Sequence, residues 1–139
     1  MSVSKGGAAQ IIPFGANVLV TWPTTEFDGM GEFDDTPANS WFQPLRAGYY
    51  QVNLHLLFVM VAGAGFSDQC TFYNPVILVA YAGHTVEQSI IDNYGITISQ
   101  VIYMTPNDRL QILVNTTNVL GTILGGAPAW TRLTIHRLS

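Results

Sequence analysis

Charge is scarce in this chain. Asp, Glu, Lys and Arg make up 10% of its 139 residues, where an ordinary soluble domain carries about 25%. A lone subunit would therefore have an unusually uncharged surface, so either a membrane or a subunit contact is expected to cover part of it. Basic residues are the scarcest: Lys5, Arg46, Arg109, Arg132 and Arg137 lie far apart, and the net charge is −4. A nucleic-acid surface needs clustered cations, so that partner class is excluded. Long apolar runs are missing too. The longest apolar-rich stretch, residues 54–66, falls short of the roughly 20 residues of a spanning helix, and the chain is too short for a membrane barrel. Membrane insertion is not expected, and oligomerisation is the preferred explanation.

Cysteine is almost absent. Cys70 is alone, which excludes an intrachain disulfide and a CxxC zinc framework; its plain reading is a small buried thiol. The opening MSVSKGGAAQ holds no apolar segment, so a secretory signal is not expected. No GxSxG elbow or HExxH pair occurs. The acidic residues sit mostly in one loop rather than facing each other across a cleft. An enzyme is not expected, and no cofactor is implied.

What is present is period two. In residues 46–60, RAGYYQVNLHLLFVM, Tyr50, Val52, Leu54, Leu56, Phe58 and Met60 share one face. Tyr49, Gln51, Asn53 and His55 share the other, until Leu57 and Val59 make both faces apolar. Alternation with aromatic and β-branched residues predicts a long strand with one core face. Residues 10–14 and 17–22 read as short strands, and 26–39 as a loop with five of the nine acidic residues. Residues 62–74 read as a Gly-rich connection, 76–81 as a strand buried on both faces, 82–84 as a hairpin turn and 85–91 as a returning strand. Further strands are predicted at 96–104, 109–115 and 130–138, with a Gly-rich loop at 118–128. Residues 1–8 read as a flexible leader and 9–139 as one domain. Many short strands with turns between them predict an all-β sandwich or barrel.

Several of these segments resemble a known family. Phe27-Asp28, Glu32-Phe33-Asp34, Phe42 and Ala47-Gly48-Tyr49-Tyr50 look like the approach to the central strand of the complement component 1q globular heads and their microbial and phage relatives. Val101 to Met104, with Asn107-Asp108-Arg109-Leu110-Gln111-Ile112, resembles that family's late hairpin, and residues 131–138 its closing strand. Asn107 stands where a glycine is usual, a mild change because Asn tolerates a left-handed turn. Pro44 comes one position early. The resemblance implies a two-sheet antiparallel jelly roll of about ten strands, shared with tumour necrosis factor, and a tight homotrimer. By the parity above it places Gln51, Asn53 and His55, and Thr134 and His136 of the closing strand, at the trimer contact. Gln100 interrupts the alternation of Ile98 and Ile102, and Tyr103 is the contact candidate in that strand.

Other residues invite a function. His55 and His136 could gather an anion or metal near a threefold axis, but polar pairing across strands or subunits is the plainer reading. Glu26, Asp28, Glu32, Asp34 and Asp35 form a candidate ligand-facing loop. Calcium there is the sharper reading and a solvated loop the favoured one, because the spacing matches no calcium loop. Trp22, Trp41, Phe27 and Phe33 could stack on sugars, and core filling is favoured. The expected protein is a non-enzymatic trimeric structural or binding module. Its expected setting is a virion or other extracellular particle, as a fibre head, decoration or receptor-binding knob touching a host-surface protein or glycan. The alternative is a soluble bacterial trimer, lectin-like or protein-binding.

Overall fold

The long strand is the centre of the molecule. The computed structural model describes residues 1–7, 9–60, 66–88, 94–117, 122–124 and 131–138, and every regular element among them is a strand. In chain order these are β1 (Ser2–Ser4), β2 (Gln10–Ile12), β3 (Val18–Leu19), β4 (Thr24–Phe27), β5 (Phe33–Asp34), β6 (Trp41–Phe42), β7 (Gly48–Met60), β8 (Phe66–Asn74), β9 (Val79–Gln88), β10 (Tyr94–Met104), β11 (Gln111–Thr116), β12 (Thr122–Leu124) and β13 (Arg132–Arg137). All the strand pairings are antiparallel.

One sheet runs β2-β12-β7-β13-β1-β4, with β10 on the other side of β7. The second runs β3-β11-β8-β9. A short β5–β6 pair joins the second layer through backbone bonds between Phe42 and Leu110, at 3.0 and 2.8 Å. The core lies between the layers. Tyr50, Val52, Leu54, Leu56 and Phe58 of β7 are at most 1% exposed. Ile102 and Met104 of β10, Leu133 and Ile135 of β13, and Cys70, Phe72, Ile112 and Val114 of the second sheet meet them. Each fully buried aliphatic or Phe side chain contributes about 1.5–3 kcal/mol.

The structure departs from the sequence reading at five places. Residues 1–8 were expected to be a free leader, yet Ser2–Ser4 is a strand between β13 and β4, with Val3, Ser4 and Lys5 buried. The Lys5 ammonium donates to Gln10 Oε1 (2.9 Å), the Thr21 carbonyl (3.0 Å) and Thr21 Oγ1 (3.2 Å). Burial pushes it down to about 8, and these acceptors take the place of water.

Residues 66–74 form β8 rather than a connection. Its inward positions are Asp68, Cys70, Phe72 and Asn74, so two polar core residues hide the apolar alternation. Residues 76–81 do not form a doubly buried strand. The chain reverses over residues 75–78, Leu78 takes a φ of 57°, and Val76, Ile77, Leu78 and Val79 are 47–74% exposed. Ala82, Gly83 and His84 lie inside β9, opposite Phe72, Thr71 and Cys70, rather than in a turn. The loop expected at 26–39 carries the end of β4 and all of β5. The glycines at 63, 65, 125 and 126, the residues 89–91 and Trp130 lie outside the described residues.

Candidate functional site

The outer face of β7 and its neighbours is open in the single chain. Its Cα register sets Tyr49 beside Tyr103, Gln51 between Val101 and His136, Asn53 between Ser99 and Thr134, and His55 between Thr97 and Arg132. The six residues expected at the contact, Gln51, Asn53, His55, Tyr103, Thr134 and His136, are thus brought onto one face. The face is polar along its middle. Gln51 Nε2 donates to Ser99 Oγ (2.7 Å), and Ser99 Oγ donates to Asn53 Oδ1 (2.8 Å). One end is apolar: Tyr49 and Tyr103 are more than half exposed, with ring centroids 5.2 Å apart at 67°. A depression of about 190 Å³ lies between Asn53, Leu54, His55, Thr97, Arg132 and Thr134. At the sheet's far edge Arg132 pairs with Glu26, whose carboxyl is held low chiefly by that guanidinium.

A second concavity, of about 350 Å³, lies beside β5 and β6. It is lined by Gly31, Glu32, Phe33, Asp34, Trp41, Gln43, Pro44, Leu45 and Pro106. Asp34 stands opposite Trp41 in the strand pair. The Arg109 guanidinium lies 3.9 Å from the Trp41 ring centroid, a cation–π geometry. Arg109 Nε donates to Gln43 Oε1 (3.3 Å), and Gln43 Nε2 donates to the Pro106 carbonyl (2.8 Å). Asp34 accepts from Thr36 N (3.0 Å), Thr36 Oγ1 (2.7 Å) and Asn39 Nδ2 (2.6 Å). The Thr36 hydroxyl bond is the main cause holding its carboxyl below the usual range.

The five acidic candidates therefore part ways. Glu32 and Asp34 line the concavity. Asp28 shapes the loop, accepting from Glu32 N (3.2 Å) and Phe33 N (2.9 Å). Glu26 faces Arg132, and Asp35 is exposed. Among the described residues no three His, Cys, Asp or Glu side chains are grouped to hold a metal. The four aromatic candidates divide too. Trp22 is core and fully buried, Phe27 is 66% exposed on β4, and Phe33 and Trp41 are half-buried beside the concavity. Sequence reasoning passed over Gln43 and Arg109, which converge on Trp41 only through tertiary packing. No local signal marks them.

No family model matches the chain, and no curated protein matches it by sequence. Solved structures do match. The Eiger TNF structure from S. frugiperda superposes with a TM-score of 0.68 at 12% identity, covering 99% of this chain and 90% of that one. Murine APRIL at pH 5.0 gives 0.64 at 11% identity, over 92% and 95% of the two chains. The fold is a tumour necrosis factor-like jelly roll. The PRD1 vertex protein P5 shares it, with a TM-score of 0.56 at 14% identity over 99% of this chain and 71% of that one. The likeness to the tumour necrosis factor fold seen in residues 27–50, 101–112 and 131–138 thus extends through the whole sandwich. In this jelly roll β7, β10 and β13 make the sheet with the open face.

Proposed function

We propose that this jelly roll is a non-enzymatic homotrimeric module. In this reading Gln51, Asn53, His55, Tyr103, Thr134 and His136 meet their copies around a threefold axis. The module sits on a virion or other extracellular particle as a fibre head, decoration or receptor-binding knob, touching a host-surface protein or glycan. The observation that carries the reading is the open face of β7. It is a long central strand with Tyr50, Val52, Leu54, Leu56 and Phe58 buried on one side. The face on its other side combines hydrogen-bonded polar groups with the half-exposed Tyr49 and, from β10, Tyr103. Contact between copies would cover these tyrosines, in a chain with little charge. The family resemblance in the sequence implies that assembly, and a vertex protein among the fold neighbours supports the particle setting.

The test is solution mass by sedimentation equilibrium. Three times the chain mass of 15.2 kDa is expected, and a monomer across the accessible concentration range would sink the assembly. The second reading, a soluble bacterial lectin-like trimer, is favoured by one observation, the concavity beside β5 and β6.

A further inference from the structure

We infer that the concavity beside β5 and β6 is a subsite for a neutral pyranose sugar. The inference rests on the binding-module part of the reading above and not on the trimer, since all its lining residues belong to one chain.

The lining supplies both halves of sugar chemistry. A pyranose has an apolar C–H face and a rim of hydroxyls. Trp41 offers a flat apolar ring, one face of which carries Arg109, and Phe33, Pro44 and Pro106 also line the concavity. Glu32 and Asp34 offer carboxylate oxygens, which form strong bonds with hydroxyl donors. Each ionised carboxylate has about four acceptor positions. Glu32 uses Oε1 for the Leu45 N–H at 2.9 Å, and its Oε2 lies outside that bond. A volume of about 350 Å³ falls at the small end of ligand pockets, roughly 300–1,000 Å³, and suits one ring.

The wall is set before a ligand arrives. Arg109 stacks on Trp41, Gln43 Oε1 holds Arg109, and the Pro106 carbonyl holds Gln43. Asp34 is fixed by Thr36 and Asn39. A pre-ordered wall reduces the entropy lost on binding.

Other ligand classes fit less well. An anionic group would meet Glu32 and Asp34. An organic cation would compete with Arg109, which already takes a cation–π position on Trp41. A divalent metal needs more free oxygen ligands than Glu32 and Asp34 present. A neutral polyol brings no charge against these carboxylates or Arg109.

Saturation-transfer NMR on the full chain tests the assignment. The probes are methyl α-glucopyranoside, methyl α-galactopyranoside, methyl α-mannopyranoside and N-acetylglucosamine at millimolar concentration, with choline chloride as counter-probe and calcium chloride tested by its shift of the thermal midpoint. The wild type is expected to transfer to at least one sugar. Trp41→Ala should reduce that signal about tenfold, the scale of truncating one Trp anchor in a binding site, and Leu78→Asn on the β8–β9 turn should leave it intact. Should Trp41→Ala not fold, Glu32→Gln decides, because a glutamine carbonyl can still accept the Leu45 N–H. It should weaken the signal several-fold, and an unchanged signal overturns the subsite. Transfer to none of the sugars, transfer that survives Trp41→Ala in a folded protein, or a response to choline or calcium alone also overturns it. Solution mass on the same sample separates the two ideas. A trimer that binds no sugar removes only the subsite, and a monomer that binds one removes only the assembly.

Discussion

The His55 imidazole lies across Gly95 of the neighbouring strand: a Cβ placed on Gly95 would stand 2.9 Å from His55 Nε2. Glycine in β10 therefore leaves room for a ring on the open face. Gly95→Ala must turn that ring aside. The ring's far end moves cheaply, and alanine restricts the unfolded chain more than glycine does. The thermal midpoint should hold or rise slightly. Subunit association should weaken several-fold in sedimentation, because the displaced imidazole would lie in the proposed contact. Identical association for both proteins would place His55 away from any interface.

Asn53 is the sharper probe of that face. Its Oδ1 accepts from Ser99 Oγ at 2.8 Å and from Gln51 Nε2 at 3.3 Å. Asn53→Arg would bring three like charges together at the proposed threefold axis, a desolvation cost of several kcal/mol. The expected product is a folded monomer with an unchanged far-ultraviolet circular dichroism spectrum. A stable Asn53→Arg trimer would move the axis elsewhere.

Asp68 predicts an unusual pH dependence. It is fully buried in β8, the Tyr94 hydroxyl donates to its Oδ2, and Oδ1 has no hydrogen-bond partner among the described residues. Burial pushes the carboxyl up, against the lowering effect of bonds from Thr116 and Tyr94. With a folded pKa above the unfolded one, the group costs nothing below the unfolded value, about 3.9. Stability is then lost as pH rises through the folded value. Asp68→Asn should thus melt a few degrees above wild type at about neutral pH, and the gap should close near about pH 4. A gap that stays constant with pH would mean that Asp68 is not the titrating group.

Asn74 ties the β8–β9 turn to the β10–β11 turn. Its Nδ2 donates to Tyr81 Oη (2.7 Å) and Asp108 Oδ1 (2.8 Å), and its Oδ1 accepts from Val76 N (3.0 Å). Asn74→Ala should cost about 1–2 kcal/mol in urea unfolding, since it removes hydrogen bonds to Tyr81, Asp108 and Val76, partners that are themselves only partly buried or exposed. Burial pushes Asp108 up, but bonds from Thr105 and Asn74 outweigh it and hold the carboxyl low. Its stabilisation is therefore present above the unfolded pKa and lost as pH falls. The variant should unfold at a higher pH on acid titration. A cost below about 0.5 kcal/mol, the scale of an ordinary surface change, would refute the tie.

Cys70 gives a simple readout of unfolding. It is buried in β8, and burial pushes its thiol up to about 12. The thiolate is the reactive form. A disulfide reagent at mildly alkaline pH should find no thiol in the native protein and one in guanidinium. Rapid native labelling would mean that β8 opens locally.

What the sequence alone determined lies where local pattern and tertiary demand agree. Alternation in β7 separated Tyr50, Val52, Leu54 and Leu56 from Gln51, Asn53 and His55, because the side-chain period of a strand is two. Leu133 and Ile135 followed the same rule. Parity broke at Gln100, which is exposed although it shares its side of β10 with Ile98 and Ile102. The reversal at residues 75–78 had a signal in Asn74-Pro75, but the apolar run after it argued for burial, and apolar residues are free to lie outside.

Tertiary structure decided what hydropathy could not. Asn74 and Lys5 are polar and buried because partners distant in sequence, Tyr81, Asp108 and Thr21, meet them, and Tyr94 meets one oxygen of the buried Asp68. The first strand is held in place by β13 and β4, not by its own propensity. Glu32 and Asp34 met Trp41, Gln43 and Arg109 in one concavity, while Glu26 turned to Arg132. These outcomes depend on which chain segments fold side by side, and that is set by the packing of two whole sheets rather than by any local run of residues.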